Sequence, residues 1–172
     1  SHFAFDDPIL HPGHIGGSHQ HVFFGNTGVT ASSTYDELLD AGTSCDQPLD
    51  TASYWAPVLL DAEGRRVDAL GAVAYYRPGA GVDPTSIVPY PPDLKLVAGD
   101  ADADGPQPLS VVAWSCGVSA QRAITPPQCA ERSTLRMLVT FPDCWDGERT
   151  WVDRPADPAD RHAVYSTGGE CP

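Results

Sequence analysis

Gly17-Ser18-His19-Gln20-His21-Val22-Phe23-Phe24-Gly25-Asn26 is the stretch from which the chain is best read. Val22, Phe23 and Phe24 are strand formers that anchor a sheet in a core. In an extended backbone, residues two apart share a face, so His19 and His21 are expected to project together. Imidazole serves both metal ligation and proton transfer near neutral pH. Four of the six histidines, His11, His14, His19 and His21, fall in this short region, which marks it as a candidate site.

The rest of the chain reads as strands and turns. Its 172 residues suit a single domain, 1–172, with a sizeable core. Seventeen prolines and sixteen glycines are scattered throughout, which favours short strands over long helices. Strands are expected over Ser53–Leu60, Val67–Arg77, Leu94–Ala98, Leu109–Cys116, Leu135–Phe141 and His162–Tyr165. Pro57 marks an edge or bulge, and Asp61-Ala-Glu-Gly-Arg65 a hairpin-like connection. In Leu135–Phe141 the alternation predicts one core face and one partly buried face. Prolines 84, 89, 91 and 92 enforce an irregular surface segment, and another irregular segment follows from Arg154 to Asp160. The one predicted helix follows Thr34, whose spacing to Glu37 fits a capping box, with Gly42 as its stop. Many strands without helical crossovers predict a mainly β chain: an antiparallel β-sandwich or jelly-roll with one short helix and long Pro/Gly-rich loops.

A net charge of −13, with Lys95 the single lysine, leaves no basic stripe for nucleic acid and disfavours an anionic membrane surface. No run of apolar residues is long enough for a transmembrane helix. Five widely spaced cysteines without zinc-type spacing predict two disulfides and one cysteine left over, hence an oxidising, extracellular compartment. No signal peptide is visible, and the abrupt ends read as a chain trimmed on both sides.

Four constellations could carry chemistry. His19 and His21 with a late His162 could form a trigonal copper or zinc site, or divide acid and base roles beside an orienting carboxylate such as Asp7 or Asp146. Phe141-Pro-Asp143-Cys144-Trp145-Asp146-Gly147 places an aromatic face suited to a sugar ring beside two carboxylates. Tyr75-Tyr76-Arg77 predicts one inward and one outward tyrosine, with Tyr76 and Arg77 as candidate substrate contacts. Asp100-Ala-Asp102-Ala-Asp104 copies half of a calcium loop, but Val111 stands where an EF-hand needs Glu, so a solvated acidic loop is the better reading. The signatures of serine hydrolases, phosphate-cradling loops and zincins are absent.

With these motifs in view, the chain resembles the domain-of-unknown-function family numbered nineteen-ninety-six, found in secreted fungal and bacterial proteins. The matching residues include Asp6-Asp7-Pro8-Ile9, the Ser18–Asn26 stretch, Gly42-Thr-Ser-Cys45, Tyr54-Trp55-Ala56-Pro57, Tyr75-Tyr76-Arg77, Trp114-Ser-Cys116, Phe141–Gly147 and His162-x-x-Tyr165. It departs at Val22, where the family usually carries an acidic residue, and within Pro158-Ala-Asp160, where a second histidine is replaced. The resemblance implies secretion and frequent linkage to cell-wall-binding modules, and supplies no reaction.

The leading expectation is a secreted protein that cleaves cell-wall or environmental polysaccharide by hydrolysis or elimination. His19, His21, His162 and Asp146 are its acid/base candidates, and Tyr76, Arg77 and Trp145 its substrate contacts. The rival is a non-catalytic extracellular module that binds glycans, or copper or zinc through His19, His21 and His162.

Overall fold

The computed structural model describes residues 2–79, 81–153 and 160–172. The chain divides into two compact units, Ser1–Arg77 and Pro78–Pro172, which are taken in turn.

The first unit is built on an antiparallel sheet of β1 (His2–Ala4), β2 (His21–Gly25) and β3 (Ser53–Pro57), with β2 in the middle. Phe23 lies opposite His2 on one side and Trp55 on the other, and His21 lies between Ala4 and Pro57. These residues therefore share one face. His2 lies flat on the Phe23 ring at 4.8 Å, and Trp55 stacks on it at 5.5 Å. The opposite face carries Phe3, Val22 and Ala56, and the Arg66 guanidinium sits 3.7 Å over the Phe3 ring. Both faces of β2 are covered, so Val22 and Phe23 are buried.

After β2 the chain turns back through Gly25, whose φ of 79° favours glycine. A Cβ there would run into the Ala52 carbonyl oxygen. Asn26, 1% exposed, fastens this turn. Its Nδ2 donates to the carbonyls of Leu38 and Thr51 at 2.8 Å each, and its Oδ1 accepts from Gly28 N at 2.8 Å. One amide thus ties the helix to the strand that follows.

That helix, α1 (Tyr35–Asp40), begins with the expected capping box. Thr34 Oγ1 accepts from Glu37 N, and Glu37 Oε2 accepts from Thr34 N at 2.9 Å. It stops two residues before Gly42. Ala41, in an extended conformation, returns its N–H to Leu38 O, the same carbonyl that Asn26 holds, so no left-handed cap is needed.

The Ser53–Leu60 prediction resolves into β3 and β4 (Leu59–Leu60), broken after Pro57, and β4 pairs with β5 (Arg66–Val67) across the expected Asp61–Arg65 connection. The strand predicted over Val67–Arg77 does not extend past Val67. Residues 68–77 are exposed and make no ladder. The apolar alternation is present there, but no strand edge accepts its backbone groups, and β pairing needs both.

In the second unit, β6 (Val112–Cys116) pairs with β7 (Leu135–Val139), and β8 (Cys144–Trp145) with β9 (Ala163–Val164), both antiparallel. The better-buried face of β6–β7 holds Ala113 opposite Leu138 and Ser115 opposite Arg136, while Met137 and Val139 lie on the more exposed side. Leu94–Ala98 is not a strand. It is half-buried, and Lys95 N donates to Thr150 O. The segment with prolines 84, 89, 91 and 92 is irregular apart from a 3-10 turn at Pro84–Ser86. Of the irregular run expected over 154–160, residues 154–159 lie outside the described residues.

Two disulfides close this unit, Cys116–Cys129 and Cys144–Cys171, and Cys45 in the first unit is a free thiol. Closing loops with separations of 13 and 27 residues contributes about 3 and 3.5 kcal/mol by restricting the unfolded chain. That matters in a unit whose described buried apolar side chains are Ala113, Cys144 and Ala163. Among the described residues the architecture is mainly β, with antiparallel pairing throughout and one short α-helix, and no helix is long and apolar enough to cross a membrane.

Replacing Asn26 with Asp keeps the shape but turns a donor facing two carbonyls into an acceptor. Asn26→Asp should lose about 2–4 kcal/mol of stability, read as a fall of about 5–15 °C in Tm. An unchanged melt would show that Asn26 does not hold the turn.

Candidate functional site

The two early histidines do come together, although only one lies on a strand. His21 opens β2, and the exposed His19 precedes it in a bend. Their rings are nonetheless 4.3 Å apart, tilted by 56°.

The loop between β1 and β2 folds over this corner of the sheet. Ser18 N donates to Phe5 O, Gly13 N to Ala31 O, and Gly16 N to the Asp6 carboxylate. The same residue, Asp6, presents its backbone carbonyl to His21 Nδ1 at 2.9 Å. A carbonyl can only accept, so Nδ1 carries the proton. In the neutral ring Nε2 is then the basic nitrogen. The hydrogen bonds among the described residues engage Nδ1 and leave Nε2 without a partner. His21 as a whole is only 3% exposed, and this burial is the main reason its pKa lies below the ordinary 6.5. The Asp6 carbonyl pulls the other way, His19 and His11 add to the lowering, and Asp7 partly offsets it.

Asp7 is the buried carboxylate of this corner, 5% exposed. Its Oδ1 accepts from Ile9 N and Leu10 N at 2.9 and 2.8 Å, and its Oδ2 from the Trp55 indole N–H at 3.4 Å. The site thus consists of a neutral, oriented imidazole, an exposed imidazole against it, and a fixed carboxylate nearby. That arrangement can take up and pass on a proton. The sequence pointed to His19, His21 and Asp7. It gave no sign of the Asp6 carbonyl, because a backbone acceptor leaves no trace in residue identity.

On the other face of the sheet, the Tyr54 hydroxyl hydrogen-bonds the Asp50 carboxylate and the Tyr76 hydroxyl. Burial, then these two neighbours, push the Tyr54 pKa far up. Tyr75 and Tyr76 are both exposed, contrary to the expected in-out alternation, since the segment is not a strand. The Arg77 guanidinium lies 5.2 Å over the Tyr75 ring.

The remaining candidates stand in the second unit. His162, 5% exposed, donates through Nε2 to Lys95 O at 2.7 Å and meets the edge of Trp151 at 5.5 Å. Its Nδ1 is buried without a partner among the described residues. Asp146 Oδ1 accepts from Glu148 N and Arg149 N at 2.9 Å, and Oδ2 from Arg149 Nε at 2.6 Å. These bonds lower its pKa to about 2. The Trp145 indole N–H donates to Arg149 O, leaving part of its ring exposed. In the acidic loop, Asp102 N donates to Asp100 Oδ1, and Gln107 bridges Asp100 N and O. Among the described residues, no three His, Cys, Asp or Glu side chains are placed to hold a metal ion, whether copper, zinc or calcium.

Fold and site together define a disulfide-bonded, antiparallel β protein with a buried imidazole set against a second, exposed one. The chain belongs to the family described as Domain of unknown function (DUF1996), whose match spans residues 7–172. No curated protein and no solved structure matches it.

Because His21 binds a proton less tightly folded than unfolded, the unfolded state carries more protons just below pH 6.5. Its contribution is full above that pH and is lost as the pH falls toward the lower folded value. His21→Gln should flatten the stability profile over that window, checked by denaturant melts between pH 7 and 5. An identical slope in the variant would place the titration elsewhere.

Proposed function

We propose that the protein is an extracellular, glycan-active enzyme in which His21 transfers the proton, acting through Nε2. One observation carries this reading: the Asp6 carbonyl fixes the His21 tautomer and leaves Nε2 without a hydrogen-bond partner among the described residues. A base held neutral near pH 7 and oriented by its other nitrogen is what general base catalysis requires. His19, exposed and in ring contact, is the second acid/base group and links His21 to solvent. Asp7 supplies the nearby fixed negative charge.

The choice of a glycan has separate support. A strongly acidic chain repels polyanions such as nucleic acid. The exposed faces of Trp145, Tyr75 and Tyr76 suit the C–H faces of sugar rings. Two disulfides fit an oxidising, extracellular compartment.

The test is a polysaccharide panel assayed both for new reducing ends and for unsaturated products, which separates hydrolysis from elimination. His21→Ala should reduce the rate about 10²–10⁴-fold, the usual contribution of a positioned proton-transfer group. His19→Ala should have a smaller effect, concentrated in the pH profile. Turnover that survives in His21→Ala removes the catalytic role, and binding without turnover in the wild type makes the protein a glycan-binding module.

A further inference from the structure

A cavity of about 360 Å³ is walled by the His2–Phe23 stack, Thr27, Thr30 and Ser44, with His21 outside its lining. Phe23 links the two, since its ring meets His21 edge-on at 6.0 Å. The volume lies at the low end for ligand pockets, about 300–1,000 Å³, and so suits a single small ring.

The hydrogen bonding of the wall decides what can enter. Most of its backbone N–H donors are already spent. Asn26 N donates to Ala52 O, Thr27 N to Gly42 O, Gly28 N to Asn26 Oδ1, Thr30 N to Ser33 Oγ, and Ser44 N to Gly25 O. Two hydroxyl protons are spent as well, Thr27 Oγ1 on Gly42 O at 3.0 Å and Ser44 Oγ on Gly25 O at 3.1 Å. What remains for a ligand is lone pairs on those oxygens, with the His2 ring N–H and the Val29 N–H as the nitrogen donors left in the wall. An anion needs donors and finds few. A cation needs a compensating carboxylate, and none lines the cavity. A neutral polyol gives its O–H protons to such acceptors and rests its C–H face on the flat His2 ring.

We infer that this cavity is the subsite for one neutral sugar ring of the glycan, bound as a hydrogen-bond donor on the Phe23 side of the imidazole pair. The inference rests on the glycan reading above and narrows it to substrates with an uncharged residue at this position.

The experiment is amide chemical-shift mapping of the wild-type chain with neutral oligosaccharides (gluco-, xylo- and manno-) and with an oligouronate. Neutral oligosaccharides should move the Gly28, Thr30 and Ser44 amides, and the oligouronate should bind at least about 10-fold more weakly. Ser44→Trp fills the cavity and should abolish those shifts. Thr27→Val, nearly isosteric, removes one acceptor and should weaken binding about 5–10-fold in a chain that keeps its fold by circular dichroism. His21→Gln should keep the shifts while losing turnover, so failure of the catalytic reading shows up separately as retained turnover. Equal or tighter oligouronate binding, unchanged binding in Thr27→Val, or no shift with any neutral oligosaccharide overturns the subsite.

Discussion

Pairing of β2 along both of its edges is the constraint on which the first unit depends. A strand with partners on both sides has no freedom to slip, because a one-residue shift would exchange its faces. With that register fixed, His2, Phe23 and Trp55 must stack in one row, and His21 must fall in the next row on the same face. The β1–β2 loop then closes over His21 and brings the Asp6 carbonyl to Nδ1. The position of His21 therefore follows from sheet register, while the loop sets its tautomer and brings His19 against it.

Much of this was readable in the sequence wherever the controlling interaction was local. The Thr34–Glu37 capping box is a three-residue relation and formed as expected, and so did the Asp61–Arg65 connection. Two disulfides and one free cysteine followed from the count and spacing, although Cys45 as the unpaired one did not. The failures share one cause. Val67–Arg77 and Leu94–Ala98 carry strand-like patterns, but a strand exists only if a distant segment offers its edge, and residue identity does not encode that. His19 and His21 met as expected, but through a bend rather than a shared strand face. The cavity could not be read either, because its character comes from which backbone N–H groups are already paired.

The Cys144–Gly147 turn shows why composition alone overstates a site. A tryptophan, two carboxylates and a half-cystine invite a functional reading. In the structure Asp146 holds the turn by accepting from Glu148, Arg149 and its side chain, and Asp143 accepts from Ser166 N and Oγ at 2.7 and 2.6 Å. Both carboxyls sit below their ordinary pKa because these bonds favour the charged form. Carboxylates stabilised in this way resist protonation, which suits structure better than a general acid, whose pKa must be raised.

His21 shows the opposite relation between environment and chemistry. Burial costs the charged imidazole its hydration, and the one fixed bond it makes holds the ring in place rather than occupying its basic nitrogen. A surface histidine would titrate near pH 6.5 and be free to reorient, so its basic nitrogen would face a given substrate only part of the time. Burying the ring costs stability below that pH, where the unfolded chain takes up the proton more readily, and the Asp6 bond offsets part of that cost. A phenylalanine at position 21 would fill the same face without a pH penalty, but it would leave the Asp6 carbonyl without its donor and the loop without that tie.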